Sequence, residues 1–279
     1  MKIQQLWKSL GPILLSALSL FVSSLVIQSI GQAIDPTFSL CSNRGLGKIT
    51  LTVLVMLHII ALLFFQSRTL IKAWLETNFL FFKSTRWLKT FFLYFIAGFS
   101  LHALLLALCF GVGVVEYNQN LPVFKITLLA RLAFGLVATF FLAWTEELIF
   151  RGTLYPFFAQ HLPCLTSTLL TSIIFVFAHT ISGTLTLPLG IGLFLLGFSL
   201  NIVFITTGKL YAGMGIHAGL VFVKVVLRRI PLFQGQTPDQ WPWWFAQDLR
   251  QAPLIHILFL LVILILLWRY RRKLHSKVL

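Results

Sequence analysis

Thr145-Glu146-Glu147-Leu148-Ile149-Phe150-Arg151-Gly152 sets two adjacent carboxylates and an arginine in otherwise oily surroundings. Phe140, Phe141, Leu142, Ala143 and Trp144 precede it. Acids are scarce, seven in 279 residues, so two side by side mark the first place to look for chemistry. A buried carboxylate costs several kcal/mol unless it is paired or used. On a helix, residues one apart diverge by about 100°, while residues four apart share a face. That spacing pairs Glu147 with Arg151 as a structural clamp and turns Glu146 away as the working acid. The plainer alternative is a helix end with ordinary interfacial charges.

Two of the seven histidines have company. His179 closes Phe175-Val176-Phe177-Ala178-His179, and His217 sits in Gly213-Met214-Gly215-Ile216-His217-Ala218-Gly219. His58, His102 and His256 read as packing residues of apolar spans, and His161 and His275 as interfacial ones. A hairpin links His179 to the acids: the midpoint of 146 and 179 falls at Leu162-Pro163, where a proline favours reversal. Glu146 and His179 then share a depth, roughly 22–25 Å from the turn at about 1.5 Å per residue. A second hairpin, turning at Gly208-Lys209, sets His217 level with Leu200–Asn201, roughly 13 Å from its turn and shallower than Glu146. The glycines around His217 let neighbouring helices approach closely.

A carboxylate and two imidazoles can do two related things. Glu146, His179 and His217 can hold a zinc whose bound water is activated. Or Glu146 and His179 can activate water directly, with His217 donating to the oxyanion. Both schemes are peptide hydrolysis in a cavity within the membrane. No HExxH is present, so a zinc site would be assembled from separate helices. No GxSxG and no paired intramembrane aspartates occur, which disfavours serine and aspartyl chemistry.

The elements that must position these residues are membrane helices. The chain is 58% hydrophobic and 10% charged with mean hydropathy +0.92, the profile of a polytopic membrane protein. Apolar length gives about eight spans: near 11–31, 49–66, 91–115, one from about 126 through the Glu pair, 165–182, 187–207, 210–227 and 253–268. The fourth is expected to run past Arg151, kinked near Pro156, toward Pro163. Residues 67–90 read as an amphipathic interfacial stretch, and 228–252 as a tryptophan-rich insert at headgroup level. The fold class is therefore all-α, one membrane-embedded domain over 1–279.

The net charge of +15 does not point to nucleic acid, because the basic residues cluster between spans and suit anionic lipid. The larger share of Lys and Arg falls on the side of the two termini, which places both in the cytoplasm. Lys2 and Lys8 precede an apolar run too long for a signal-peptide core, which reads as a retained first span of a plasma- or inner-membrane protein. Cys41, Cys109 and Cys164 form no CxxC motif and no disulfide framework.

Glu146-Glu147-x-x-x-Arg151, then Phe175-x-x-x-His179, then His217 in a later span, resembles the CPBP family of intramembrane proteases. That family groups CAAX prenyl endopeptidases with Abi-like bacteriocin-processing and bacteriocin-immunity proteins. The resemblance covers about residues 125–227, the expected catalytic core; the other spans add only an all-helical membrane context. It implies that Glu146 and His179 activate the water, that Glu147 and Arg151 support them, and that His217 holds the oxyanion or a metal. Metal-dependent and metal-free glutamate mechanisms both stay open. The implied substrate is a peptide or lipidated protein, cut near a prenylated C-terminal cysteine or at a leader. The third motif departs from the family: Val221 stands where Asn or Asp is usual. Asn201, level with His217, is the candidate replacement oxyanion donor. A non-catalytic immunity or scaffold role is the alternative that Val221 favours. A proton-relay transporter would use the same buried groups, but no repeated halves are seen.

Overall fold

The apolar runs fold as helices because lipid leaves backbone N–H and C=O groups no partner except one another. The computed structural model describes residues 3–35, 50, 54, 57, 58, 61, 85–113, 115–117, 126–179, 185–229, 233–235 and 251–275. Its helices are α1 (Ile3–Ile34), α2 (Arg86–Gly111), α3 (Ile126–Ile149), α4 (Tyr155–Ala159), α5 (Cys164–Ala178), α6 (Leu187–Thr207), α7 (Leu210–Arg229) and α8 (Pro253–His275). Among the described residues three stretches are long and apolar enough to cross a membrane: Arg86–Gly111, Leu132–Ala159 and Leu187–Thr207. Four shorter apolar helices accompany them, Phe21–Ile34, Cys164–Ala178, Leu210–Val223 and Pro253–Ile265. Leu93, Ile96, Phe134, Phe141 and Leu264 are exposed, as lipid-facing side chains are. Most of the second expected span, the interfacial stretch to 84 and residues 236–250 of the tryptophan-rich insert lie outside the described residues.

The chain divides into two compact units, one of 1–81 with 149–185, the other of 82–148 with 186–279. In the first, α1 carries Ser19, whose hydroxyl meets His58 Nε2 at 3.1 Å, while His58 Nδ1 donates to the Leu54 carbonyl at 2.8 Å. His58 is thus the packing histidine expected of it. A π-helical turn, Phe150–Leu154, follows Ile149 and hands over to α4, the Tyr155 N–H reaching back to the Phe150 carbonyl. Pro156 explains the wide turn: it has no N–H for the carbonyl four residues back, and its ring would collide with that carbonyl. The chain reverses at residues 160–163 with Pro163 as N-cap of α5, where the hairpin midpoint falls. Ser167, Thr168, Thr171 and Ser172 are buried on α5 and satisfy themselves by donating to carbonyls of the preceding turn.

In the second unit α2 runs along α7, α7 packs on α6, and α6 on α8. α6 and α7 form the expected antiparallel hairpin. Gly208 caps α6 with φ 66°, a left-handed conformation that favours glycine, and donates to the Phe204 carbonyl at 2.7 Å. α2 and α7 lie parallel, since Gly215 meets Phe91, Gly98 meets Ile216 and His102 meets Leu220. The approach is backbone to backbone. A Cβ added to Gly98, Gly215 or Gly219 would fall on the carbonyl of Ile216, Phe91 or Phe95 respectively. Gly215 and Gly219 are spaced as in the small-xxx-small pairs of membrane helices. Phe222 rests on Phe95 and Phe99, with centroids at 5.6 and 6.3 Å, and Phe91 touches Phe140 of α3 at 5.4 Å. The third span is therefore more than membrane context: it is the principal neighbour of the helix that carries His217.

One element departs from all-α. Val115–Tyr117 pairs antiparallel with Phe233–Gly235, Glu116 lying opposite Gln234. The third span ends at Gly111 rather than near 115 because Gly113, at φ 74°, turns the chain. Since α2 and α7 are parallel, the segments that leave them emerge at the same end and can meet as a ribbon.

Candidate active site

α3 delivers both carboxylates and α7 delivers one imidazole between them. His217 Nδ1 lies 3.0 Å from Glu147 Oε1, and its Nε2 lies 3.6 Å from Glu146 Oε2. Glu147 is fully buried and His217 nearly so, whereas the Glu146 side chain is 21% exposed. Register alone leaves His217 shallower than Glu146, but the packed helices close that gap. Two carboxylates about 100° apart on α3 can reach one histidine because the ring nitrogens sit on opposite edges of the imidazole.

Gly213, four residues before His217 and on the same face of α7, lies against the Glu147 carboxylate. A Cβ there would lie 2.8 Å from Glu147 Oε2. The missing side chain makes room for the carboxylate against the helix. The i,i+4 spacing of Gly213 and His217 was a signal for this residue that motif reading passed over.

Arg151 and His179 lie in the first unit. Arg151 is fully buried within the π turn. Its guanidinium stands 5.1 Å from the Phe175 ring centre and 5.9 Å from that of Phe150, cation–π distances. Phe150 and Phe175 meet edge to face at 4.9 Å. Phe175 also holds His179: the rings are 4.6 Å apart, and His179 Nδ1 donates to the Phe175 carbonyl at 2.8 Å. The carbonyl can only accept, so Nδ1 carries the hydrogen and Nε2 of neutral His179 presents its lone pair. That is the tautomer a general base or a metal ligand needs.

Glu146 and Glu147 thus belong to one unit, and Arg151 and His179 to the other. The i,i+4 argument for Glu147 and Arg151 assumes unbroken α geometry, which stops at Ile149. Asn201 is fully buried on α6, the most enclosed spanning helix, and Val221 is half-buried on α7. Asn201 and His217 are equidistant in sequence from Lys209, at the hairpin turn. His102 is buried, with Nδ1 donating to the Leu220 carbonyl at 2.6 Å, consistent with a packing role.

Two ligands of one tetrahedral zinc lie about 3.4 Å apart at usual bond lengths. Glu146 Oε2 and His217 Nε2, at 3.6 Å, suit that bite, and Glu147 on Nδ1 is the kind of carboxylate that orients a ligating histidine. Among the described residues no three His, Cys, Asp or Glu side chains are grouped closely enough to hold a metal.

Residues 127–223 match the family model described as Rce1-like, type II CAAX prenyl endopeptidase Rce1-like. The matched segment contains Glu146, Glu147, Arg151, Phe175, His179, Asn201, Gly213 and His217. No curated protein and no solved structure matches the chain.

Proposed function

We propose, on the premise of the CPBP intramembrane-protease family that the Rce1-like segment 127–223 supports, that this membrane protein is an endopeptidase hydrolysing peptide bonds at a Glu/His site. The observation that carries the reading is His217 held between Glu147 at 3.0 Å and Glu146 at 3.6 Å, in a chain with few acids to spare. Helices need no such cluster to pack, and burying it is costly.

Glu146, the more exposed acid, accepts a proton from a water as its oxygen attacks the scissile carbonyl carbon. His179 offers its Nε2 lone pair to the same water, its ring fixed by Phe175. The C–N bond then breaks, and the proton held by Glu146 goes to the departing amine. Arg151 supports the arrangement through Phe175. Asn201 is the proposed amide donor to the oxyanion, in place of the donor that Val221 cannot supply. Glu146, His217 and His179 would hold a zinc in the metal-dependent version, where it would polarise the carbonyl and acidify bound water. The substrate class is a prenylated CAAX-type peptide or a leader peptide, met at the membrane.

The test is cleavage of prenylated and unprenylated peptides by the full chain in detergent, beside Glu146→Ala and His179→Ala. Loss of cleavage in both variants supports the reading; cleavage that survives Glu146→Ala overturns it.

A further inference from the structure

We infer that Lys209, with Arg86 and Lys89 at its level, receives the free C-terminal carboxylate of the substrate and so selects a chain terminus over an internal site. The inference rests on the endopeptidase reading above and, of its two substrate classes, takes the C-terminal peptide rather than the leader.

Helix register sets these cations at a defined distance from the acids. Lys209 stands just before α7 and His217 eight residues on, about 12 Å along the helix at about 1.5 Å per residue. Glu146 Oε2, 3.6 Å from His217 Nε2, lies at the far end of that interval. α2 runs parallel to α7, and Gly215 meets Phe91, Tyr94 and Phe95. Stepping back six residues on both helices brings Lys209 level with residues 85–89, where Arg86 and Lys89 stand exposed at the start of α2. All three cations and both acids belong to the second unit. The Lys209 backbone is held in place: Gly208 before it is left-handed, and the Lys209 N–H donates to Thr207 Oγ1 at 3.2 Å. Its ammonium stands 5.9 Å from the Tyr211 ring centre.

Aromatic rings run along the interval. Trp144, two residues before Glu146, stacks on Phe140 at 6.5 Å. Phe140 in turn lies 5.4 Å from Phe91 and 6.3 Å from Trp87, the neighbour of Arg86. A CAAX terminus carries three residues beyond its prenylated cysteine. Extended, they span about 10 Å. With the scissile carbonyl at Glu146, the terminal carboxylate then arrives near Lys209, whose flexible stem covers the remainder. Apolar side chains of the fragment lie against the rings. The carboxylate, a charge that a peptide terminus has and an internal segment lacks, meets ammonium and guanidinium groups. Basic residues at a membrane surface also attract anionic headgroups, but headgroups call for no particular distance from the acids. Lys209, Arg86 and Lys89 touch no reacting atom; they set specificity by holding the end of the chain.

The test compares one prenylated C-terminal peptide as the free acid and as the C-terminal amide, with the full chain in uncharged detergent. Wild type cleaves the acid with a KM about 5–10-fold lower and an equal kcat, the scale of a few partly exposed charge contacts made alike before and during reaction. Added salt narrows that gap. Lys209→Gln closes most of it and Lys89→Gln part of it, both by raising KM for the acid. Lys273→Gln, near the end of α8, leaves the gap as it is. Equal KM values for acid and amide in the wild type overturn the proposal. So does a loss in Lys209→Gln that is the same for both peptides, or that appears only when anionic lipid is added, since Lys209 then serves headgroups. Fluorescence anisotropy of the dye-labelled acid and amide peptides reads the same preference without turnover. Tighter binding of the acid, lost in Lys209→Gln, by a protein that cleaves neither peptide supports this inference while counting against the protease reading; equal binding of the two overturns it.

Discussion

The guanidinium of Arg151 stands 5.1 Å from the centre of the Phe175 ring. That contact joins the arginine of one motif to the phenylalanine of the next. Phe175 in turn touches the His179 ring at 4.6 Å and accepts its Nδ1–H through the backbone. The phenylalanine is thus a spacer, with a buried cation near its ring and the His179 imidazole set by its other contacts.

Phe175→Leu keeps an apolar side chain of similar bulk but removes the ring. The His179 backbone bond survives, while the cation–π contact, worth about 0.5–2 kcal/mol, is lost. Thermal unfolding in detergent should fall by a corresponding amount. The kcat for a cleavable peptide should drop while KM holds, because the ring supports His179 without meeting substrate. A variant with wild-type stability and kcat would remove Phe175 from this role.

Arg151→Lys is not a conservative change here. A planar guanidinium lies over rings as a compact ammonium does not, and Arg151 is fully buried. Arg151→Ala, which removes a fully buried side chain and its contact with the Phe175 ring, should cost at least as much as that cation–π contact, about 0.5–2 kcal/mol. Arg151→Lys should lie between that variant and the wild type by thermal unfolding.

The parallel α2–α7 pair gives a packing prediction with an internal control. Gly219→Ala places a methyl on the backbone of Phe95 and should destabilise by about 1–3 kcal/mol, as overpacked cores do. A Cβ added to Gly111 would meet nothing within 4 Å, so Gly111→Ala should leave thermal unfolding unchanged. Equal effects from the two variants would mean that α2 and α7 do not pack as described.

Asn201 carries the oxyanion role in this account. Asn201→Ala should reduce the cleavage rate by about 10²–10³-fold. Val221→Asn, which restores an amide at the position where the resembled family usually has one, should recover part of that loss in the double variant. An Asn201→Ala protein with an unaltered rate would take Asn201 out of the site.

Much of this was legible in local sequence. The chain reverses at residues 160–163, where the midpoint of 146 and 179 falls, because Pro163 ends one run and caps the next helix. The span 187–207 coincides with α6, and Gly208 caps it as a left-handed residue. Small residues around His217 mark close helix packing, which the structure places against α2. What was not legible depends on pairings far apart in the chain. His217 and Glu147 are separated by 70 residues, and their meeting depends on how α3 and α7 cross, which no periodicity encodes. The π turn at Phe150–Leu154 arises from Pro156 acting on the preceding turn, a distortion that the apolar pattern of the helix does not announce. The ribbon of Val115–Tyr117 with Phe233–Gly235 follows from α2 and α7 being parallel. Three-residue strands in such a hydrophobic chain leave no alternation to read.

The most direct test of the account is the cleavage rate of a prenylated C-terminal peptide by the purified full chain in detergent. Wild type is compared with Glu146→Ala and His179→Ala, each with and without a metal chelator. The account predicts cleavage by the wild type and a loss of about 10²–10⁴-fold in each variant, the scale of removing a general acid–base group. The chelator arm separates zinc-assisted from metal-free hydrolysis. Cleavage undiminished in Glu146→Ala would contradict the central claim.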